Sequence, residues 1–529
     1  MYREANEKIT NKTSKISSRC YLPILIVHRA LWILVFTICI SYASILTLEI
    51  FLKFRESPIV STMEAEFFPT SELQFPGVAI CTINRISRRS AMKLADKISK
   101  ANITELSVEE IFDNIISLGD LYDSHIMRES NYNTTNELLS KFYNNNYDIT
   151  DLMEYLTPQC SDILLQCYFH NKQKNCTNMF SVGKTQNGFC CTFNYITALE
   201  DRPKFTKILE SEVYTVGNVG LHFGLTVSME PLLDDYSYTI HPMSGWKVMI
   251  FDAFDFPDSG SGSVSEILIG PSSEEFVELK AVGAYSTNSI RSYPVEKRGC
   301  IFADELKSNY TSYTISECVV ACRLEHIWAK CKCRPFFYPR QGSTENTRKT
   351  CTVENISCLT KYYGMSYKII PYEDSNLESA LENENVVRCK HCYPECNDMT
   401  YLIRSVRFEL QPGYYNTSLF PDMNVKDQSI LHIYFVDSGI VYMKQDEYYR
   451  WYEHFSSVGG FYGFFVGFSI VSIVEIIYYI MLYLLEICLH SKTAEEAPRE
   501  NNTLSIYWNE FPPRTRMNAN KTKHTATRY

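Results

Sequence analysis

The stretch Ser456-Ser-Val-Gly-Gly-Phe-Tyr-Gly-Phe-Phe-Val-Gly-Phe-Ser-Ile-Val-Ser-Ile-Val-Glu475 decides how this chain of 529 residues is organised. The apolar character continues to Cys488, so that about 31 residues from Val458 onward would form a helix of roughly 46 Å. A bilayer core needs only about 20 residues. The excess predicts a membrane span that is tilted, interrupted, or both.

The positions of small and polar residues favour an interruption. Two series recur at helical spacing, a small one of Gly460, Gly463 and Gly467 and a polar one of Ser469, Ser472 and Glu475. In a straight helix Ser469 would point roughly 160° away from Gly467. The small residues and the polar residues could then not both face the same pore axis. Unwinding residues 467–469 would turn both toward a common pore, where exposed carbonyls form an ion filter. A single-span anchor that dimerises through its glycine face is the alternative.

A second apolar segment runs from Ala30 to Leu52, with Glu49 as its one charge. It is long enough to span a membrane, and no cleavage pattern supports the alternative of a signal peptide. The residues before it carry a net charge of +4, and those after Leu489 carry +3. Because positive flanks stay in the cytoplasm, both termini are expected inside and residues 53–454 outside.

The composition of residues 53–454 fits an extracellular location. This region holds 16 of the 19 cysteines, an even number, as a disulfide framework requires. Its net charge is −14, because the total is −10, the two flanks carry +4 and +3, and the acids of the two spans carry −3. The negative charge of this region either attracts cations or only keeps the region soluble. It also contains six glycosylation sequons, at Asn102, Asn133, Asn175, Asn309, Asn355 and Asn416.

Local patterns predict an α+β organisation for this region. Phe75–Asn84 is an apolar run typical of a buried strand, residues 85–160 are predicted to be helical with a capping box at Ser107–Glu110, and 213–295 and 401–441 are predicted to be strands. Tyr132–Asp148 is interpreted as an exposed loop or frayed helix, and Asp258–Val264 as a flexible turn. Thr314–Glu317 predicts a second capping box, which starts a helix with Cys318 and Cys322 on one face.

Enzymatic and metal chemistry find little support. No HExxH, GxSxG or P-loop motif occurs, so an enzyme is not expected, and neither a cofactor nor a metal is predicted. The pairs Cys331/Cys333 and Cys389/Cys392 could hold zinc, but disulfides are favoured outside the cell. The basic runs Arg85–Arg89 and Arg404–Arg407 are either protease targets or, as favoured here, surface charge.

Several motifs in a fixed order carry a family resemblance. They are Phe75–Asn84, Gly188–Asn194, Arg298-Gly-Cys300, Tyr310–Cys322, Cys389–Tyr401 and Gly459–Glu475. With them the chain resembles the epithelial sodium channel/degenerin family, and within it the insect pickpocket channels, over roughly residues 30–488. The resemblance implies a trimeric α+β membrane protein in which two transmembrane helices flank a disulfide-rich extracellular domain with a strand-rich palm, a helical finger and a thumb.

The resemblance also implies five segments. They are a cytoplasmic segment (1–29), a first transmembrane helix (30–52), a glycosylated extracellular domain (53–454), a pre-pore segment with the pore-lining helix (455–488) and a cytoplasmic tail (489–529), which is polar and predicted to be disordered after His490. It assigns the selectivity filter to Gly467, Phe468 and Ser469, blocker binding to Gly463, and the degenerin gating position to Ser456. Ser472 and Glu475 would line the inner pore.

The disulfides of similar channels imply eight pairs here. They are Cys81–Cys190, Cys160–Cys191, Cys167–Cys176, Cys300–Cys396, Cys318–Cys392, Cys322–Cys389, Cys331–Cys358 and Cys333–Cys351.

This chain departs from the family pattern in three places. The His-Gly before the first span is missing from Ser17–Leu22, the middle filter residue is the bulky Phe468, and Pro512–Thr515 lacks the tyrosine of a ubiquitin-ligase docking motif. The first departure suggests a subunit that needs partners, and the second leaves sodium-over-potassium selectivity open.

The function implied is a subunit of an amiloride-sensitive sodium channel in the plasma membrane. Its partners would be sodium ions, homologous subunits in a homo- or heterotrimer and the lipid bilayer, with no nucleic acid. Salt taste, chemosensation, mechanosensation and epithelial fluid clearance all fit this scaffold. The alternatives are a non-conducting or auxiliary two-span receptor subunit, an ATP-gated channel, for which the phosphate-binding clusters are missing, and an ectoenzyme.

Overall fold

The computed structural model describes residues 2–122, 132–196, 213–305, 313–339, 348–371, 386–416, 423–467 and 469–493. Within these ranges the side chains of residues 2–26, 65–67, 72, 367, 371 and 488–493 are not described. The chain divides into two compact units, the large unit (52–450) and the span unit (1–51 and 451–529). Asn309, Phe468 and the tail segment Pro512–Thr515 lie outside the described residues, as do the side chains of Ser17–Leu22.

The α-helices are named in chain order. They are α1 (Tyr2–Glu56), α2 (Arg88–Lys100), α3 (Val108–Ile116), α4 (Tyr132–Phe142), α5 (Ile149–Leu156), α6 (Cys160–Ile163), α7 (Cys176–Met179), α8 (Val295–Arg298), α9 (Ile315–Cys331), α10 (Ile356–Tyr367), α11 (Trp451–Val466) and α12 (Ile470–Thr493). Short 3-10 turns cover Thr70–Glu72, Ser117–Leu121, Leu221–Phe223, Leu233–Asp235, Ser259–Ser261, Asn288–Ser292 and Val353–Asn355.

The strands all belong to the large unit. They are β1 (Ile59–Pro69), β2 (Gly77–Thr82), β3 (Asn84–Ser87), β4 (Leu164–Phe169), β5 (Lys172–Lys174), β6 (Phe180–Thr185), β7 (Gly188–Phe193), β8 (Leu225–Met229), β9 (Tyr236–Thr239), β10 (Trp246–Phe251), β11 (Ser265–Ile269), β12 (Ser273–Ser286), β13 (Ile369–Pro371), β14 (Val387–Cys389), β15 (Asp398–Glu409), β16 (Gly413–Tyr415), β17 (Met423–Val425), β18 (Ser429–Phe435) and β19 (Gly439–Glu447).

The long strand β12 organises the larger sheet, whose order is β1-β19-β12-β18-β8-β4-β5. β12 pairs antiparallel with β15 along nearly its whole length. On its other side it pairs in parallel with β18 through Glu274–Leu279 and then with β19 through Val282–Ser286. Because β12 lies between β19 and β18 and is hydrogen-bonded to both, a shift of β12 would move both of these strands.

A smaller sheet, β11-β10-β2-β7-β6, packs on the larger one. All six residues of β2 are buried, as the apolar run after Phe75 predicts. Phe75 lies at the centre of the shared core, with its ring edge-on to those of Phe169, Phe193 and Phe435 at centroid distances of 5.4–6.0 Å. Aromatic rings in this arrangement add to the free energy gained from burial alone.

The helices α2–α5 form a separate core. The capping box is confirmed: the Ser107 side chain accepts from the Glu110 amide, and Glu110 accepts from Ser107 in return. The interpretation of Tyr132–Asp148 as an exposed loop or frayed helix is wrong over its first part, because α4 buries Leu138 and Leu139 in this core. The many asparagines of that segment make it look polar throughout, although Leu138 and Leu139 form a buried contact face.

The helix α9 is fixed to a loop that the sequence predicts to be flexible. Thr314 caps its first turn by accepting from the Glu317 amide, but Glu317 does not complete the predicted capping box. Arg323 and Asp258 are both 0% exposed and form a double hydrogen bond, with 3.1 Å between Nη2 and Oδ2. The Gly/Ser turn that begins at Asp258 is therefore anchored by a buried ion pair.

Eight disulfides crosslink the large unit, and their pairs coincide with those that the family resemblance implies. They are Cys81–Cys190, Cys160–Cys191, Cys167–Cys176, Cys300–Cys396, Cys318–Cys392, Cys322–Cys389, Cys331–Cys358 and Cys333–Cys351. The cysteine pairs considered for zinc are thus engaged in disulfides. Two of the bonds, Cys318–Cys392 and Cys322–Cys389, join α9 to the segment that returns after α10, and Cys331–Cys358 joins α9 to α10 itself, so that the helical hairpin is held closed.

Candidate ion pathway in the interrupted second span

Among the described residues, two helices are long and apolar enough to cross a membrane. By length and composition these are the Val27–Glu56 part of α1 and Ile470–Ile487 of α12. The helix α11 precedes α12 and carries the residues from Ser456 to Val466. The second apolar stretch therefore contains two helices in series: α11 ends at Val466 and α12 begins at Ile470, with Gly467 and Ser469 outside both helices.

The interruption begins at a glycine in a left-handed conformation. Gly467 has φ +72, and its amide donates to the Gly463 carbonyl at 3.1 Å, which closes the last turn of α11. A side chain at this φ costs roughly 1 kcal/mol, although no atom lies within 4 Å of the position that a Cβ atom would take. Glycine is therefore required at residue 467 by its backbone conformation rather than by lack of space.

Two serines close the other side of the interruption. The Ser469 hydroxyl accepts from the Ser472 amide at 3.3 Å, and the Ser472 hydroxyl accepts from the Ser469 amide at 3.4 Å. This is the reciprocal arrangement of a capping box, with serine in place of glutamate. The two bonds satisfy amide groups at the start of α12, where unpaired donors inside a membrane would be costly.

The electrostatics at the interruption favour a cation on one side. The last carbonyls of α11 carry the negative end of that helix's dipole. Glu475 follows Ser472 by three residues and is exposed, about 4.5 Å further along α12. The sequence-predicted residues Gly467, Ser469, Ser472 and Glu475 are thus brought together in one short segment, while Phe468 lies outside the described residues.

The remaining predicted residues lie on α11. Ser456 is exposed and lines an apolar groove of about 870 Å³, which also includes Phe36, Gly459 and Ser469. Gly463 is half-buried, one turn before the interruption. The helix α1 contacts α11 through the hydroxyls of Ser44 and Tyr462, which are 3.0 Å apart, and through the rings of Tyr42 and Phe465, which meet edge-on at 5.2 Å. Most of the apolar surface of α12 remains exposed.

The large unit contains an acidic cavity that the sequence did not reveal. Its volume is about 580 Å³, and its described lining includes no lysine, arginine or histidine but five carboxylates: Asp252, Asp255, Glu317, Glu395 and Asp398. They come from three separate segments of the chain, so no local pattern could have grouped them.

Burial raises the pKa of every one of these five groups. Burial, and next the charge of Asp252, raise the pKa of Asp255 to about 7. Burial and the charge of Asp255 raise the pKa of Glu317 to about 7 and that of Glu395 to about 8. Burial also raises the pKa values of Asp252 and Asp398. The cavity therefore favours protons or other cations.

The two basic runs differ in exposure. Arg404 and Arg407 are exposed, in agreement with surface charge, and both lie in β15, which is hydrogen-bonded to β12. Arg85 is buried, so both interpretations of its run, protease target and surface charge, are wrong at that residue. His326 is half-buried and His391 exposed. Among the described residues no group of three or more His, Cys, Asp or Glu side chains could hold a metal ion.

The predicted glycosylation sites differ in exposure. Asn102, Asn133, Asn175 and Asn416 are exposed. Asn355 is half-buried, and its Oδ1 atom accepts from the Thr352 amide at 3.0 Å.

Comparison with known proteins gives a consistent result. The model of a family described as amiloride-sensitive sodium channel matches residues 13–479. The sodium channel protein Nach of Drosophila ananassae is 25% identical, covering 90% of this chain and 86% of that protein. Pickpocket protein 28 of Drosophila melanogaster is 24% identical, covering 86% and 74%. The human bile acid-sensitive ion channel is 22% identical, covering 88% and 83%.

Proposed function

This chain belongs to the amiloride-sensitive sodium channel family, the epithelial sodium channel/degenerin group, and we propose that it is one of three subunits around an amiloride-sensitive, sodium-selective pore. Its membership makes it a cation channel subunit rather than an enzyme, and its insect relatives make it a pickpocket-type subunit of a two-span membrane protein. The trimer, the selectivity, the block by amiloride and the cytoplasmic termini belong to the proposal.

The observation that carries the proposal is the interruption at residues 467–469. It combines a left-handed glycine with two serines that cap the next helix. Irregular backbone at membrane depth is tolerated where it lines water or is buried in protein. Three such segments around one axis would place carbonyl groups of Gly467, Phe468 and Ser469 around a dehydrated sodium ion. Glu475 would attract the ion at the inner side.

The large unit would control this pore through the chain itself. Only three residues separate the end of its strand β19 at Glu447 from the start of α11 at Trp451. Because β12 pairs with both β18 and β19, rearrangement of the palm strands would pull on that connection. The helices α2–α5 would correspond to the finger, and the hairpin of α9 and α10 to the thumb.

Electrical recording of a degenerin-position variant tests the proposal. Ser456 faces the apolar groove along α11, and a bulkier Ser456→Val side chain is expected to hold the channel open. Cells expressing this variant, alone or with related subunits, should show a constitutive inward sodium current that amiloride blocks. Ser457→Val is the matched control, since its side chain points about 100° away around the helix.

Silence of Ser456→Val in every subunit combination would contradict conduction by this chain. The missing His-Gly in Ser17–Leu22 favours a second candidate, an auxiliary or receptor-like subunit that needs partners. That candidate predicts current only on co-expression and a complex with unequal subunits. Crosslinking of the purified complex distinguishes it from a homotrimer.

A further inference from the structure

Arg85 is a buried cation that forms no ion pair within the part of the chain that the structure describes. It lies in β3, its side chain is 4% exposed, and its Nε and Nη1 atoms are buried without a hydrogen-bond partner among the described residues. Burial lowers the pKa of Arg85 to about 10, so the guanidinium stays charged at neutral pH. A buried and uncompensated charge costs several kcal/mol in real proteins.

The groups around Arg85 do not neutralise it. The ring of Tyr122 lies 6.0 Å from the guanidinium carbon. Burial raises the pKa of Tyr122 to about 12, so this residue is a neutral phenol and not a phenolate. The Thr157 hydroxyl donates to the Met153 carbonyl, which leaves it to accept the Tyr122 proton at 3.0 Å. The Tyr122 hydroxyl is thus hydrogen-bonded to Thr157 and carries no negative charge that could pair with Arg85.

Asp235, which is linked to this strand by a hydrogen bond from Asn84, pairs with another arginine. Asp235 accepts from the Arg89 backbone amide at 2.8 Å and lies 3.5 Å from the Arg89 guanidinium. Asn84, which precedes Arg85, donates to the Asp235 carbonyl instead. Asn84 and Asp235 are thus engaged elsewhere, and no carboxylate among the described residues pairs with Arg85.

We propose that a small inorganic anion of the chloride type binds at the unpartnered N–H groups of Arg85. A contact with one aromatic face recovers only part of the cost of burying a cation. Water could accept from the two N–H groups but would not balance the charge, whereas a halide does both. The anion would join β3 to Tyr122, whose hydroxyl contacts Thr157 directly after the end of α5, at the edge of the helical core.

Anion exchange on the purified full-length chain tests this site. The unfolding temperature is measured at equal ionic strength in sodium chloride, sodium bromide and sodium gluconate, since gluconate is too large for a buried site. The wild-type chain should unfold several degrees higher in either halide than in gluconate, because an anion that binds only the folded state stabilises it. Arg85→Met, which removes the charge, should lose this difference and unfold in gluconate no lower than the wild type.

Arg88→Met is the matched control, because Arg88 lies three residues further on and is exposed. It should keep the halide dependence of the wild type. Equal halide dependence in Arg85→Met and the wild type would overturn the proposal. Should Arg85→Met fail to fold, anomalous diffraction from wild-type crystals grown in sodium bromide decides: a bromide peak beside the Arg85 guanidinium supports the site, and its absence there rejects it. Neither readout uses current, so the result is independent of the proposed channel function.

Discussion

The two units of this chain differ in how they are stabilised. The large unit carries eight disulfides and a continuous core in which Phe75, Phe193 and Trp246 are almost completely buried. In the span unit Ala43 is buried, but nearly all of the apolar side chains of α12 are exposed. The large unit thus buries its own apolar side chains, whereas the span unit presents an apolar surface that a bilayer or neighbouring subunits must cover.

This difference implies that substitutions in the two units have different consequences. In the large unit they should change the free energy of unfolding, because the contacts they remove lie within one chain. In the span unit they should change assembly and permeation, because the surfaces they alter face lipid, other subunits or ions. The predictions below test that separation, from the largest expected effect to the smallest.

The largest effect is expected from the disulfide Cys81–Cys190, which closes 109 residues of sequence. With Cys160–Cys191 intact, loss of this bond still frees a loop of roughly 80 residues, worth about 4.5 kcal/mol in the chain-entropy account. The double variant Cys81→Ser/Cys190→Ser should therefore reach the cell surface poorly and unfold at a much lower temperature. Thermal unfolding of the purified chain measures this.

Two controls bracket that result. The disulfide Cys167–Cys176 closes only 9 residues, so its double serine variant should lose less, roughly 2.5 to 3 kcal/mol. The free Cys39 lies in the span unit, and Cys39→Ser should leave the unfolding of the large unit unchanged. Equal losses for the two disulfides would mean that loop closure does not govern the stability of this unit.

The acidic cavity predicts a smaller, pH-dependent effect. Because the fold raises the pKa values of Asp255, Glu317 and Glu395, the native state binds more protons than the unfolded chain between about pH 4 and about pH 8. The stability that these groups contribute is therefore greatest at low pH and is lost as the pH rises through 7 to 8. The unfolding temperature should fall between about pH 5 and about pH 8.5.

Neutral variants isolate the contribution of the cavity. Asp255→Asn together with Glu395→Gln should flatten the fall in unfolding temperature, because these groups no longer ionise. Glu296→Gln removes an exposed carboxylate and should leave the slope as in the wild type. A wild-type slope in the double variant would assign the pH dependence to other groups.

Local signals in the sequence predict the local features of both units. The spacing of glycines and serines predicts the interruption at residues 467–469, and Ser107–Glu110 predicts a capping box that the structure contains. The cysteine motifs imply the disulfide pairs because they lie in the order known from the resemblance. Each of these features depends on residues a few positions apart or on a recognised motif.

Features that join distant segments could not be predicted. Asp258 lies in a Gly/Ser run typical of a flexible turn, and its partner Arg323 is 65 residues away. The five carboxylates of the acidic cavity come together only through the pairing of strands and the base of α9. Arg85 belongs to a basic run typical of surface charge, yet it is buried together with the other three residues of β3. In each case the tertiary fold, not the local pattern, decides the environment.

The smallest effect on stability is expected at Ser469. Ser469→Ala removes the acceptor for the Ser472 amide, and loss of such a cap costs about 1 kcal/mol. This shifts the balance between an interrupted and a continuous second span by roughly fivefold. In a conducting complex the relative permeability of sodium over potassium should fall, while the unfolding temperature of the large unit stays constant.

A serine elsewhere in the same span provides the control for Ser469→Ala. Ser457 lies within α11, and Ser457→Ala improves the local helix propensity without touching the interruption. Its ion selectivity should match that of the wild type. If Ser469→Ala kept wild-type selectivity as well, the serine cap would be dispensable for the filter. If it instead lowered the unfolding temperature of the large unit, the two units would not respond separately, and the contrast between them would fail.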